Sequence, residues 1–141
     1  MPLRFVPAIH RATHRIGLYL ADLRELGLSQ GEAHILAHLA TSGPARIAEL
    51  HDILAHKRST LTSILDRLTT RGLITRAVDE TDRRSFIITP TPRGRQVATR
   101  VHRHLTDLER AIARRVTDED ARAFARVLGI VEEEAHGRRG R

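Results

Sequence analysis

Residues 58–94 constrain this chain more than any other stretch. Within Arg58–Arg71, Leu61, Ile64, Leu65 and Leu68 stand at i, i+3, i+4 and i+7, the spacing of an amphipathic helix, and Gly72 follows as its stop. Ile74–Val78 and Ser85–Thr89 read as two short strands joined by a charged loop, a β-hairpin with Arg83 and Arg84 near its tip. Thr91-Pro92 then restarts a helix, with a hydroxyl for the N-cap and proline at the first helical position. A helix able to lie in a DNA groove, followed at once by a cationic hairpin able to reach the next, is the pattern of a winged helix-turn-helix. The expected fold class is mainly α with a small β-wing.

The flanking sequence extends that pattern. Ala45–Leu54 reads as a short helix carrying Ile47, Leu50, Ile53 and Leu54, and Ala55-His56-Lys57 connects it to the helix at Arg58. Before it, Ser29-Gln30-Gly31-Glu32 reads as a capping box that opens a helix to Thr41, closed by Ser42-Gly43-Pro44. Phe5–Leu26 carries a broad apolar stripe ended by Gly27. Beyond the hairpin, Val97, Val101, Leu105, Leu108, Ile112 and Val116 mark a helix to about Arg115. At 1.5 Å per residue it would run roughly 35 Å, longer than a small winged-helix core can cover. Thr117-Asp118-Glu119-Asp120 starts a last helix, acidic at the favourable end of its dipole, and Gly137–Arg141 is a basic tail. The expected organisation is an N-terminal dimerisation helix (1–28), a winged helix-turn-helix (29–92), and C-terminal dimerisation helices with the tail (93–141). The surplus apolar stripe implies a homodimer.

Charge is concentrated in the same place. The net charge of +7 comes almost wholly from residues 56–100, with ten Lys/Arg against four Asp/Glu; residues 1–55 balance at five each. Arginine outnumbers lysine 23 to one, but a compositional bias would not gather the cations in one third of the chain. A basic belt on a helix and hairpin is the footprint of phosphate binding. The chain has no cysteine, which excludes a disulfide framework, a thiolate zinc site and a Cys nucleophile. No apolar run approaches the roughly 18–20 residues of a membrane span, and the charged N-terminus is unlike a signal peptide. A cytoplasmic protein without a cofactor is expected. It is not read as an enzyme, since G-x-S-x-G, H-E-x-x-H and P-loop motifs are absent.

Taken in order, these elements resemble the MarR family of bacterial transcriptional regulators over essentially the whole chain. The family's wing signature is D-x-R, five residues, L-T, two residues, G; Asp82, Arg84, Thr91 and Gly94 fall on it, with Pro90 in place of the leucine. Arg58-Ser59-Thr60-Leu61-Thr62-Ser63-Ile64-Leu65-Asp66-Arg67-Leu68 is similar to the family's S-T-V-T-x-L-V-D-R-L block. Lys57 stands where a Ser or Thr N-cap is frequent. The proline removes one N–H, which an edge strand tolerates.

The resemblance implies that Arg84 enters the minor groove, held by a bidentate pair with Asp82. Arg58, Ser59, Thr60, Thr62 and Ser63, opposite the apolar stripe, are the candidates for base edges. Lys57, Arg67, Arg76 and Arg83 are expected on phosphates. A merely solvated face would normally carry glutamate, and none occurs between Lys57 and Val78.

The resemblance further implies a repressor that binds a pseudo-palindromic operator in double-stranded DNA and is released by a small-molecule effector, of unknown identity. Two alternatives stay open. One is a sequence-tolerant architectural DNA binder. The other is a metal-responsive regulator of the same fold, for which His34, His102 and Glu25 are the candidate ligands. His10/His14 and His34/His38 are spaced i, i+4, but the further histidines and cysteines of the zinc-sensing members are missing, so no metal site is expected.

Overall fold

The computed structural model describes residues 1–54 and 58–139, Arg24 without its side chain. Two units divide the chain, Met1–Leu105 and Thr106–Arg141. The first contains α1 (Val6–Leu20), a 3₁₀ segment (Ala21–Leu26), α2 (Gln30–Ser42), β1 (Ala45–Arg46), α3 (Ile47–Leu54), α4 (Arg58–Thr70), β2 (Ile74–Val78) and β3 (Phe86–Pro90). It also holds most of α5 (Pro92–Ala113), which runs on into the second unit; α6 (Asp118–Gly137) lies wholly in the second. The fold is mainly helical with one small antiparallel sheet, as a winged helix-turn-helix requires. No helix among the described residues is long and apolar enough to cross a membrane.

Three elements differ from the sequence reading. Phe5–Leu26 is not one helix: after Leu20 the winding tightens, and Leu23 leaves helical values at φ −88°, ψ 38°. Leu20 and Leu26, on either side of this kink, both enter a cluster with Ala33, Ala37 and Val101. Ala45 and Arg46, expected in the short helix, are a two-residue strand paired with Ile88 and Ile87. Such a strand is too short to show a period.

Pro90 is the third. The sheet order is β1-β3-β2, so the strand expected at an edge is central. Pro90 is tolerated because it is the last residue of β3, beyond the two residues that pair with β1. Its ring is buried.

The junction after α4 positions everything downstream. Gly72, at φ 71°, supplies the left-handed residue that ends the helix. Its N–H donates to Thr69 O and that of Leu73 to Leu68 O, both at 3.0 Å, a Schellman turn whose two leucines are buried together. Thr91 fastens α5 onto this turn. Its N–H donates to Leu73 O at 3.0 Å, and its hydroxyl donates to Gly72 O at 2.7 Å while accepting from Gly94 N–H at 3.0 Å. Leu61, Leu65, Leu68, Leu73 and Ile88 then share one core with Ile35, Leu36 and Ala98. Helix, hairpin and long helix are thereby set in one frame.

Candidate nucleic-acid interface

The α4 helix sorts its side chains cleanly. Leu61, Ile64, Leu65 and Leu68 are at most 4% exposed, which turns Arg58, Ser59, Thr60, Thr62, Ser63 and Arg67 outward. Thr62 Oγ1 donates to Arg58 O at 2.9 Å, so its remaining capacity is as an acceptor. The wing stands beside this face. Arg58 and Thr62 from α4, Arg76 from β2, and Arg84, Ser85 and Phe86 from the wing border one cleft of about 440 Å³, floored by Ile47, Leu61 and Leu65. Three guanidinium groups and two hydroxyls around an open cleft suit a polyanion.

Two aspartates build the wing tip as successive turns. Asp79 Oδ1 accepts from Thr81 N–H at 3.0 Å, and Asp82 Oδ1 accepts from Arg84 N–H at 3.2 Å. Ser85 N–H returns to Asp82 O, and Asp79 N–H to Ser85 O, each at 2.9 Å. The pair expected between Asp82 and the Arg84 guanidinium is a single 3.5 Å approach of Nε, not a bidentate fork. Arg84 is 95% exposed, so a second bond has little to gain against bulk water. Asp82 mainly shapes the turn from which Arg84 projects. Arg83 is exposed in the same turn.

The candidate phosphate contacts are placed unequally. Lys57 lies outside the described residues. Arg67 Nε donates to Glu32 Oε1 at 3.2 Å, yet half of its side chain stays in solvent. Arg76 stands 3.6 Å from Asp66 and over the Phe86 ring, 5.5 Å from the centroid.

Sequence reasoning assigned Glu32 to a capping box, and only half of that forms. Ser29 Oγ accepts from Glu32 N–H at 3.2 Å, but the carboxylate is buried and faces Arg67 and Arg71 instead. Two guanidinium partners stabilise a buried carboxylate better than one N–H. The signal was available: Glu32, Leu36 and Leu39 stand at i, i+4 and i+7, on the inward face. Arg71, also missed, donates to Leu26 O and Gly27 O and so ties the end of α4 to the turn before α2.

Asp79 opens the charged loop between β2 and β3. It is buried, with Arg46 Nε 2.9 Å from its Oδ2. The Thr81 N–H, with help from Arg46, outweighs burial and holds its carboxyl below the usual range. A depressed carboxyl contributes stability above the unfolded-state value of about 3.9 and loses it as pH falls through the folded value. Asp79→Asn is therefore expected to flatten the acid limb of a melting-temperature profile below about pH 4; an unchanged limb would show that Asp79 does not contribute.

Among the described residues no three His, Asp or Glu side chains stand close enough together to hold a metal ion. Glu25 is bonded to Arg100. His34 lies on α2 and His102 on α5. His104 is used in packing: its ring stacks on Tyr19 at 3.9 Å, its Nε2 meets Tyr19 O at 2.9 Å, and Tyr19 O–H donates to His104 O at 2.7 Å.

The profile of the MarR family matches residues 28–86. No curated protein matches the chain. Among solved structures, MepR from S. aureus in its DNA-binding conformation is similar, with a TM-score of 0.85 at 16% identity over 94% of this chain and 99% of that one. A mutant MarR from E. coli complexed with operator DNA gives 0.71 at 21% identity over 89% and 91%. A probable transcriptional regulator from Pseudomonas aeruginosa gives 0.71 at 21% over 91% and 96%. At these identities the likeness is one of fold.

Proposed function

We propose, from the MarR-family domain that residues 28–86 of this chain form, that the protein is a sequence-specific transcriptional regulator and not an enzyme. It acts in the cytoplasm as a homodimer on a pseudo-palindromic operator. Each α4 enters a major groove and each wing reaches the adjacent minor groove, with the half-sites about one helical turn or a multiple apart. Residues 1–28 and 93–141 hold the dimer, and the protein represses until a small molecule changes the spacing of the two reading heads.

One observation carries the reading: the base-competent face of α4 and the projecting Arg84 open onto the same cationic cleft. The structural relatives include a MarR complexed with operator DNA, which supports the same use of this fold. Short hydroxyl side chains and Arg58 can read base edges, whereas Arg84 reads groove width and potential.

Binding to duplexes that the wild-type protein selects from a random-sequence pool tests this. Arg84→Ala is expected to weaken binding and lower the salt slope by about one, leaving the melting temperature unchanged because the side chain touches no core. Arg58→Ala instead alters preference among sequence variants. Equal affinity for selected and unrelated duplexes would favour an architectural DNA binder, and unchanged binding by Arg84→Ala across salt would remove the wing from the interface.

A further inference from the structure

The wing would be a poor reader if its tip wandered, and seven residues separate β2 from β3. Part of its order is internal, in the Asp79–Thr81 and Asp82–Arg84 turns. Those turns set the shape of the loop but not its direction relative to α3 and α4. An ion pair ties the start of the loop to the frame. Arg46 belongs to β1, pairs across to Ile87 of β3, and immediately precedes α3. Its Nε stands 2.9 Å from Asp79 Oδ2, at the residue where β2 passes into the loop.

The burial of the two partners is unequal, and that decides what the pair does. Asp79 is 3% exposed and Arg46 56%. Asp79 Oδ1 is held by Thr81 N–H, whereas Oδ2 is buried with no directed hydrogen bond among the described residues and faces the Arg46 guanidinium. A buried carboxylate without its countercharge is strongly destabilised, whereas a half-exposed guanidinium can return to water at little cost. The dependence therefore runs from the wing to β1: Asp79 needs Arg46 where it is, and the loop follows Asp79.

We propose that Arg46 and Asp79 are positioning residues for the wing, their ion pair fixing the direction in which Arg84 leaves the sheet toward DNA. This rests on the reading of the wing as a DNA contact. Arg46 then acts through Arg84 and touches no phosphate itself.

A double-mutant cycle separates the possibilities in the full-length protein, using duplexes selected by the wild type. Arg46→Ala is expected to weaken binding on the order of tenfold. In an Arg84→Ala background the same substitution has no further effect, because there is no guanidinium left to aim. Arg46→Lys, which keeps the charge, recovers part of the loss. Amide exchange gives a readout independent of DNA: the Thr81 and Arg84 N–H groups exchange faster in Arg46→Ala, while those of α4 and α5 do not. Equal losses in the two backgrounds would mean that Arg46 meets phosphate directly and would overturn the proposal. So would unchanged exchange at Thr81. If the wild type selects no duplex, the regulatory reading fails instead, and the exchange data alone decide whether the pair orders the loop. Asp79→Asn tests the other partner; should it not fold, the Arg46 variants suffice, since their side chain is half in solvent.

Discussion

Gly94→Ala is expected to cost about 3 kcal/mol or more, the upper end for overpacking, and to abolish cooperative unfolding at ordinary temperature. A Cβ at this position would lie 1.8 Å from Leu73 O and 2.8 Å from Leu73 C. Both are backbone atoms, so no rotamer change relieves the clash. Leu73 cannot retreat either: its carbonyl accepts from Thr91 N–H and its own N–H closes the Schellman turn on Leu68. The requirement is for space, because Gly94 does not have a positive φ. Gly129 is the control. It is also helical, but a Cβ there meets nothing within 4 Å, and Gly129→Ala should stabilise by up to about 1 kcal/mol through helix propensity. Urea unfolding of both variants reads the difference; a Gly94→Ala protein within about 1 kcal/mol of wild type would show that α5 does not need its close approach to the turn.

The second large effect concerns the unit Thr106–Arg141. None of its described residues is fully buried, and Ile112, Val116, Phe124 and Ile130 are 42–63% exposed. The exposure is not a sign of a weak helix. Thr117 and Asp120 form a complete reciprocal capping box at the start of α6. An amphipathic pair of segments with a well-formed start and an uncovered stripe suits a second copy of the chain.

Ile112→Asp with Phe124→Asp is expected to convert a dimer into a monomer in sedimentation at micromolar concentration. It should also reduce operator affinity on the order of a hundredfold, because a monomer loses the linkage between half-sites. The variant should keep the melting behaviour of the first unit. Leu105 is a worse probe, since it packs against the cluster of Leu20, Leu26 and Val101 inside that unit. A double variant that sediments as a dimer would place the interface elsewhere.

Much of the reading element was legible because its determinants are local. The i, i+3, i+4, i+7 leucines and isoleucine of α4, the glycine stop at Gly72 and the Thr91-Pro92 start each act within a few residues of themselves. The outward set on α4 follows from the same periodicity. The wing strands were placed to within one residue, since the stop at Gly72, the charged loop and the Thr91-Pro92 start bound them. β1 was not legible, because two residues carry no pattern.

The residues misread or missed share one property: each had an acceptable local role and a stronger distant one. Glu32 fitted a capping box, and takes Arg67 and Arg71 across 35 and 39 positions because burial makes two countercharges decisive. Asp79 fitted a turn, and keeps that turn while also taking Arg46. Gly94 stood in a motif whose reason is visible only where Leu73 O approaches it. Sequence by itself determined the extent of α4, the start of α5, which face of α4 is apolar and where the cations gather, since propensity, capping and periodicity are properties of neighbours along the chain. Tertiary structure alone decided which charges are already neutralised, how the wing is aimed and why a glycine is needed. Those depend on which distant groups share a low-dielectric space, and no spacing along the chain encodes that.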